Sequence, residues 1–201
     1  MYTSAAASHR PGFTPAHAIY CKFLMERAAY IPCHVRVPDM PQRISAVALD
    51  GRFYSFFRAI PEAQRAIAIA TRLGRRDDEI VMTLTRRGYG IWVNEPQAQY
   101  APPAKDPRHS LKPAFGPSPC LILSDASSYT RCSLKVPDLS QVVDGISHNG
   151  RYYSVFRQVT GAAEAIAIAA KLAQSGDETL MVTTSGGLIL AVRELNAIVA
   201  G

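Results

Sequence analysis

Two stretches of alternating apolar and polar residues meet at Asp50-Gly51, and two more meet at Asn149-Gly150. Such dipeptides supply two successive positive φ values, as a type I′ turn requires, and the twist of that turn matches the strands it joins. The pattern predicts tight β-hairpins of residues 43–49 with 52–59 and of residues 142–148 with 151–158. A two-residue turn fixes the register, so strict alternation assigns the faces. It places Ile44, Ala46, Ala48, Phe53, Ser55 and Phe57 on one face of the first hairpin, with Val143, Gly145, Ser147, Tyr152, Ser154 and Phe156 as counterparts. Small residues facing aromatic ones make a surface on which a helix can settle, so this face is the expected core. The opposite face then presents Arg52, Tyr54, Phe56 and Arg58, and in the second hairpin Arg151, Tyr153, Val155 and Arg157.

After each hairpin the period changes. Ala63, Ala66, Ile67, Ala70 and Leu73 recur at helical spacing, which predicts helices over 62–73 and 162–172. Strands follow at 80–85 and 179–184, reversing near Gly88 and Gly187 into partners at 91–94 and 188–193. Ahead of the hairpins, 33–37 and 132–136 read as short strands closed by Val-Pro-Asp, and 21–25 and 120–123 as further strands. The expected class is α+β: an antiparallel sheet of β-β-hairpin-α-hairpin order with one helix packed on a face.

These elements occur twice because residues 21–95 align without a gap onto 120–194, with 28 of 75 positions identical. Unrelated segments would match at only about 5. The reading is a tandem duplication of two modules related by pseudo-twofold symmetry. It divides the chain into a tail (1–19), copy 1 (20–96), a Pro-rich linker (97–118), copy 2 (119–195) and a short end (196–201). A domain of this size hides only about 60% of its unfolded surface, so the copies should share a substantial interface. Residues 96–118 carry six prolines, which suits an extended linker. The alternative is a strap anchored by Tyr100 and Phe115.

Charge separates the copies. The chain carries +6, with +4 in residues 20–96 and −1 in 119–195, so only the first has an anion-attracting balance. No apolar run reaches the roughly 20 residues of a membrane-spanning helix, and the first residues lack the apolar stretch of a secretory signal. The expectation is a cytoplasmic protein whose thiols stay reduced.

Four sets of residues are candidate sites. Cys21, Cys33, Cys120 and Cys132 fall at repeat positions but lack the close Cys-x2–4-Cys spacing of a zinc knuckle. Buried unbridged thiols are expected, with a disulfide inside each module or a metal as alternatives. The retained Arg52, Tyr54 and Arg58, with Arg151, Tyr153 and Arg157, could grip phosphates and stack on a base. They could equally pack as a protein interface. Arg75, Arg76, Arg86 and Arg87 are matched in copy 2 by Gln174, Ser175, Ser185 and Gly186, so they serve copy 1 alone. Trp92 is matched by Ala191 and either fills a gap or marks a contact unique to copy 1. The histidines pair with no retained carboxylate or cysteine, and neither a hydrolase nucleophile elbow nor a glycine-rich phosphate loop is present. No cofactor and no catalytic residue is expected. The reading is a non-catalytic protein-binding adaptor or assembly subunit. Its rivals are nucleic-acid binding through copy 1, and an enzyme or small-ligand sensor with a site between the modules.

Overall fold

The computed structural model describes residues 18–73 and 79–200. The first half runs β1 (Ala18–Leu24), β2 (Ile31–Val37), β3 (Met40–Leu49), β4 (Arg52–Ile60), α1 (Ala63–Leu73), β5 (Ile80–Thr85), β6 (Gly88–Asn94) and β7 (Gln99–Tyr100). The second runs β8 (Cys120–Leu123), β9 (Thr130–Lys135), β10 (Val143–His148), β11 (Arg151–Val159), α2 (Ala162–Gln174), β12 (Thr179–Thr184), β13 (Gly187–Glu194) and β14 (Ile198–Val199). The class is α+β.

Both hairpin turns form as the dipeptides require. Asp50 and Gly51 have φ of 51° and 72°, and Asn149 and Gly150 have 48° and 73°. Leu49 then pairs with Arg52, and His148 with Arg151.

The strands among the described residues form one 14-stranded sheet, in the order β14-β9-β10-β11-β13-β12-β8-β1-β5-β6-β4-β3-β2-β7. The halves are joined by antiparallel pairing of β1 with β8, where Ala18 meets Leu123 and Cys21 meets Cys120. The expectation of a purely antiparallel sheet is corrected, since β1 runs parallel to β5 and β8 parallel to β12. A helix also links two strands that run the same way. β4 and β5 are both antiparallel to β6 and so run the same way, and the chain returns between them through α1, the crossover that same-direction strands need.

The helices lie side by side over the middle of the sheet. Beneath them Ile19, Cys21, Phe23, Ile80, Met82, Ile91, Cys120, Ile122 and Met181 meet the Ala/Ile stripes, including Ala66, Ile67, Ala70, Ala165, Ile166 and Ala169. Alanine at the contact positions lets each helix approach the sheet closely. Among the described residues the other face carries no α-helix and has two separate clusters. One gathers Leu24, Tyr30, Val47, Leu49, Tyr54 and Val81, and the other Leu121, Ile146, Tyr153, Leu180, Val182 and Ile189.

The segment after β6 is a strap rather than a free linker. Tyr100 pairs with Val35 on β2, and its hydroxyl meets His109 Nδ1 at 2.6 Å. Further on, Asp50 N–H donates to the Ala114 carbonyl, and Gly116 N–H donates to Asp50 Oδ1. A side chain on Gly116 would strike Leu49, which explains the glycine. Ser118 ends the run by donating to the carbonyls of Ala173 in the last turn of α2 and of Gly176 just after it. Phe115 is 82% exposed, so it is not the anchor expected of it.

Candidate functional site

The expected Arg-x-Tyr-x-x-x-Arg surface is divided by an irregularity in the strand that carries it. In β4, Phe56 pairs with Trp92 but Arg58 pairs with Ile91, leaving Phe57 as an extra residue. In β11, Val155 pairs with Ala191 but Arg157 with Leu190, leaving Phe156 extra. A β-bulge of this kind flips the alternation beyond it. Tyr54 and Phe56 therefore share the face away from the helices, while Arg58 and Ile60 turn toward the helix side.

The face assignment is corrected beyond the bulge, and before it the face expected to be open is covered. Tyr54 and Tyr153 are buried, at 0% and 2% exposure. Tyr54 donates its hydroxyl to Glu79 Oε1 at 2.9 Å, and the same carboxylate pairs with Arg52. Burial, then the Glu79 bond and charge, push the Tyr54 phenol well above its ordinary value. In the second half Glu178 pairs with Arg193, the Cα partner of Tyr153. Burial is the first cause raising the Tyr153 phenol, opposed by its bond with Arg151. The retained tyrosines, with Glu79 and Glu178, therefore serve the core and its rim, and neither tyrosine ring is offered to solvent. Ser55 and Ser154, also retained, donate to Glu95 and Glu194 at 2.6 and 2.5 Å.

The bulges expose another pair. Phe57 and Phe156 are 48% and 54% exposed. The Arg58 guanidinium lies 5.8 Å from the centre of the Phe57 ring, and Arg157 reaches Glu164 of α2 at 4.0 Å. Phe-Arg thus stands at the same place on both β4 and β11. The sequence held a signal for this: two bulky residues in a row, Phe56-Phe57 and Val155-Phe156, break the alternation where the extra residue sits.

Trp92 is a packing residue. Its ring meets Phe56 edge-on at 5.0 Å, and Nε1–H donates to Thr83 Oγ1 at 2.9 Å. A side chain on Gly90 would come within 2.8 Å of that hydroxyl, so the glycine makes room for the bond. Arg86 and Arg87 are exposed at the β5–β6 turn. Arg75 and Arg76 lie outside the described residues.

The cysteines do not converge. Cys21 and Cys33 sit on β1 and β2, which are five strands apart in the sheet, so a bridge within that half has no geometry. The same separation holds for Cys120 on β8 and Cys132 on β9. The weak alternative of a four-cysteine metal site is corrected for the same reason. Among the described residues no group of three His, Cys, Asp or Glu is placed to hold a metal.

Comparison with models of protein families, with characterised proteins and with solved structures finds no significant match to this chain. No helix among the described residues is long and apolar enough to cross a membrane.

Proposed function

We propose that the chain is an internal duplication folded about a pseudo-twofold axis between β1 and β8, and that it acts as a non-catalytic protein-binding assembly subunit in a reducing, cytoplasmic setting. The duplication is supported by strand order. Outward from β1 run β5, β6, β4, β3, β2 and β7, and outward from β8 run β12, β13, β11, β10, β9 and β14. These are equivalent elements in equivalent sequence.

The observation that carries the binding reading is the exposed Phe-Arg pair at each bulge. Exposed phenylalanines retained in both halves have no role in the core, and aromatic residues with arginine are the composition that interfaces favour. The two sites are seven strand steps apart, roughly 34 Å along the sheet. A twofold partner, or one copy of a partner at each site, fits that arrangement. Nucleic-acid binding is the weaker reading, since the tyrosine expected to stack on a base is buried in each half.

Affinity capture from the native source tests the proposal, with the wild-type chain compared against Phe57→Ala/Phe156→Ala. A partner protein retained by the wild type and lost by the folded variant supports it. Equal recovery on both contradicts it.

A further inference from the structure

The second half contains a cavity of about 140 Å3 on the face away from the helices. Its floor is Ile146, Val155 and Ile189, and its rim is Arg131, Asp144 and Gln158. The strand register places all six on one side of the sheet. Arg131 opposes Ile146, Asp144 lies two residues before Ile146, and Gln158 opposes Ile189.

In the first half the same positions hold Pro32, Ser45, Val47, Phe56, Ala59 and Gly90. There Phe56, edge-on to Trp92, stands at the position from which Val155 lines the cavity. Ala191 and Val155 stand where those two rings would be. A ring has thus been removed at Val155, and Pro32, Ser45 and Ala59 are replaced by a cation, an anion and an amide, in one half only. An unfilled apolar gap alone would cost stability. A gap rimmed by a cation, an anion and an amide has the make-up of a binding site.

We infer that this cavity binds a small zwitterion, an α-amino acid with a short aliphatic side chain. Arg131 takes the carboxylate, Asp144 takes the ammonium, and the aliphatic group rests on Ile146, Val155 and Ile189. Arg131 and Asp144 are diagonal neighbours on paired strands, a relationship of about 7–8 Å. Among the described residues neither is engaged in an ion pair. Their charges are therefore available to a ligand carrying both signs. Size limits the side chain. At about 30 Å3 per water-sized group the cavity accommodates roughly five such groups, well under the ~300 Å3 at which pockets for larger ligands begin.

Titration calorimetry on the full chain tests this, using glycine, alanine and valine as probes and acetate, ethylamine and phenylalanine as controls. The expected result is saturable binding of alanine or valine, with no binding of the singly charged controls or of phenylalanine. Arg131→Gln and Asp144→Asn, both at exposed positions, each weaken binding about tenfold or more. Val155→Phe, which restores the first half's Phe56 ring at a lining position, abolishes it. The inference is overturned if none of the three amino acids binds, if a control binds as tightly, or if binding survives both rim substitutions. The rim variants keep the test decisive should the refilled variant fail to fold.

Discussion

Cys21 and Cys120 face each other directly across β1 and β8, the strand pair that joins the two halves. Both are fully buried beneath the helices, and both are free thiols. Burial raises the Cys21 thiol well above its ordinary value, and the neighbouring Cys120 raises it further. Burial likewise pushes Cys120 up to about 12, against a smaller lowering by Thr179.

Thiol reactivity should therefore follow position in the sheet. Burial lifts Cys33 to about 11 and also raises Cys132, which is less enclosed. Since the thiolate is the reactive form, a thiol reagent should modify Cys132 first and Cys33 more slowly, with both rates climbing as pH rises. Cys21 and Cys120 should react only on unfolding. Mass spectrometry of quenched samples reads the order, and early labelling of Cys21 or Cys120 would contradict the placement.

The shared sheet implies shared unfolding. Trp92 is the only tryptophan and sits in the first half, whereas circular dichroism reports on both. The urea transitions followed by Trp92 fluorescence and by far-UV circular dichroism should coincide, as for one cooperative unit. Separate midpoints would show that the halves unfold independently across β1 and β8.

Asp50 joins three parts of the first half. It forms the hairpin turn, pairs with Lys22 on β1, and accepts from Gly116 of the strap. Burial alone would raise its carboxyl, but the Lys22 bond, the Gly116 bond and the charges of Lys22 and Arg52 together hold it below 3.8. A carboxyl lowered in the folded state contributes stability above its unfolded value, and loses it as pH falls through the folded one. Asp50→Asn keeps the turn, as Asn149 does in the second half, and removes only the charge. It should cost about 1–3 kcal/mol at pH 7, with the difference closing in acid below the ordinary carboxylate range. Urea midpoints across pH measure this, and a difference that persists in acid would contradict it.

Much of the fold was legible because its signals are local. Asp50-Gly51 and Asn149-Gly150 fixed the hairpins, and the Ala/Ile spacing fixed the helices to within two residues at each end. The order of strands was not legible. Placing β1 against both β5 and β8 depends on long-range pairing, for which the short apolar runs carry no code. The candidate surface failed for two reasons: Tyr54 and Tyr153 are covered by apolar clusters on the face away from the helices, and the extra Phe57 and Phe156 turn Arg58 and Arg157 to the other side. The cavity in the second half was partly visible as Trp92 matched by Ala191. Its polar rim was not, because Arg131, Asp144 and Gln158 come together only through the register.

The central claim is that Phe57 and Phe156 are equivalent contact points for one kind of protein partner. Site-specific photo-crosslinking in the native source tests it most directly, with a photoreactive phenylalanine analogue placed singly at Phe57, at Phe156 and at the exposed Phe115 of the strap. The account predicts the same partner polypeptide attached at positions 57 and 156 and absent at 115. Attachment at neither bulge, or of unrelated proteins at the two, would contradict it.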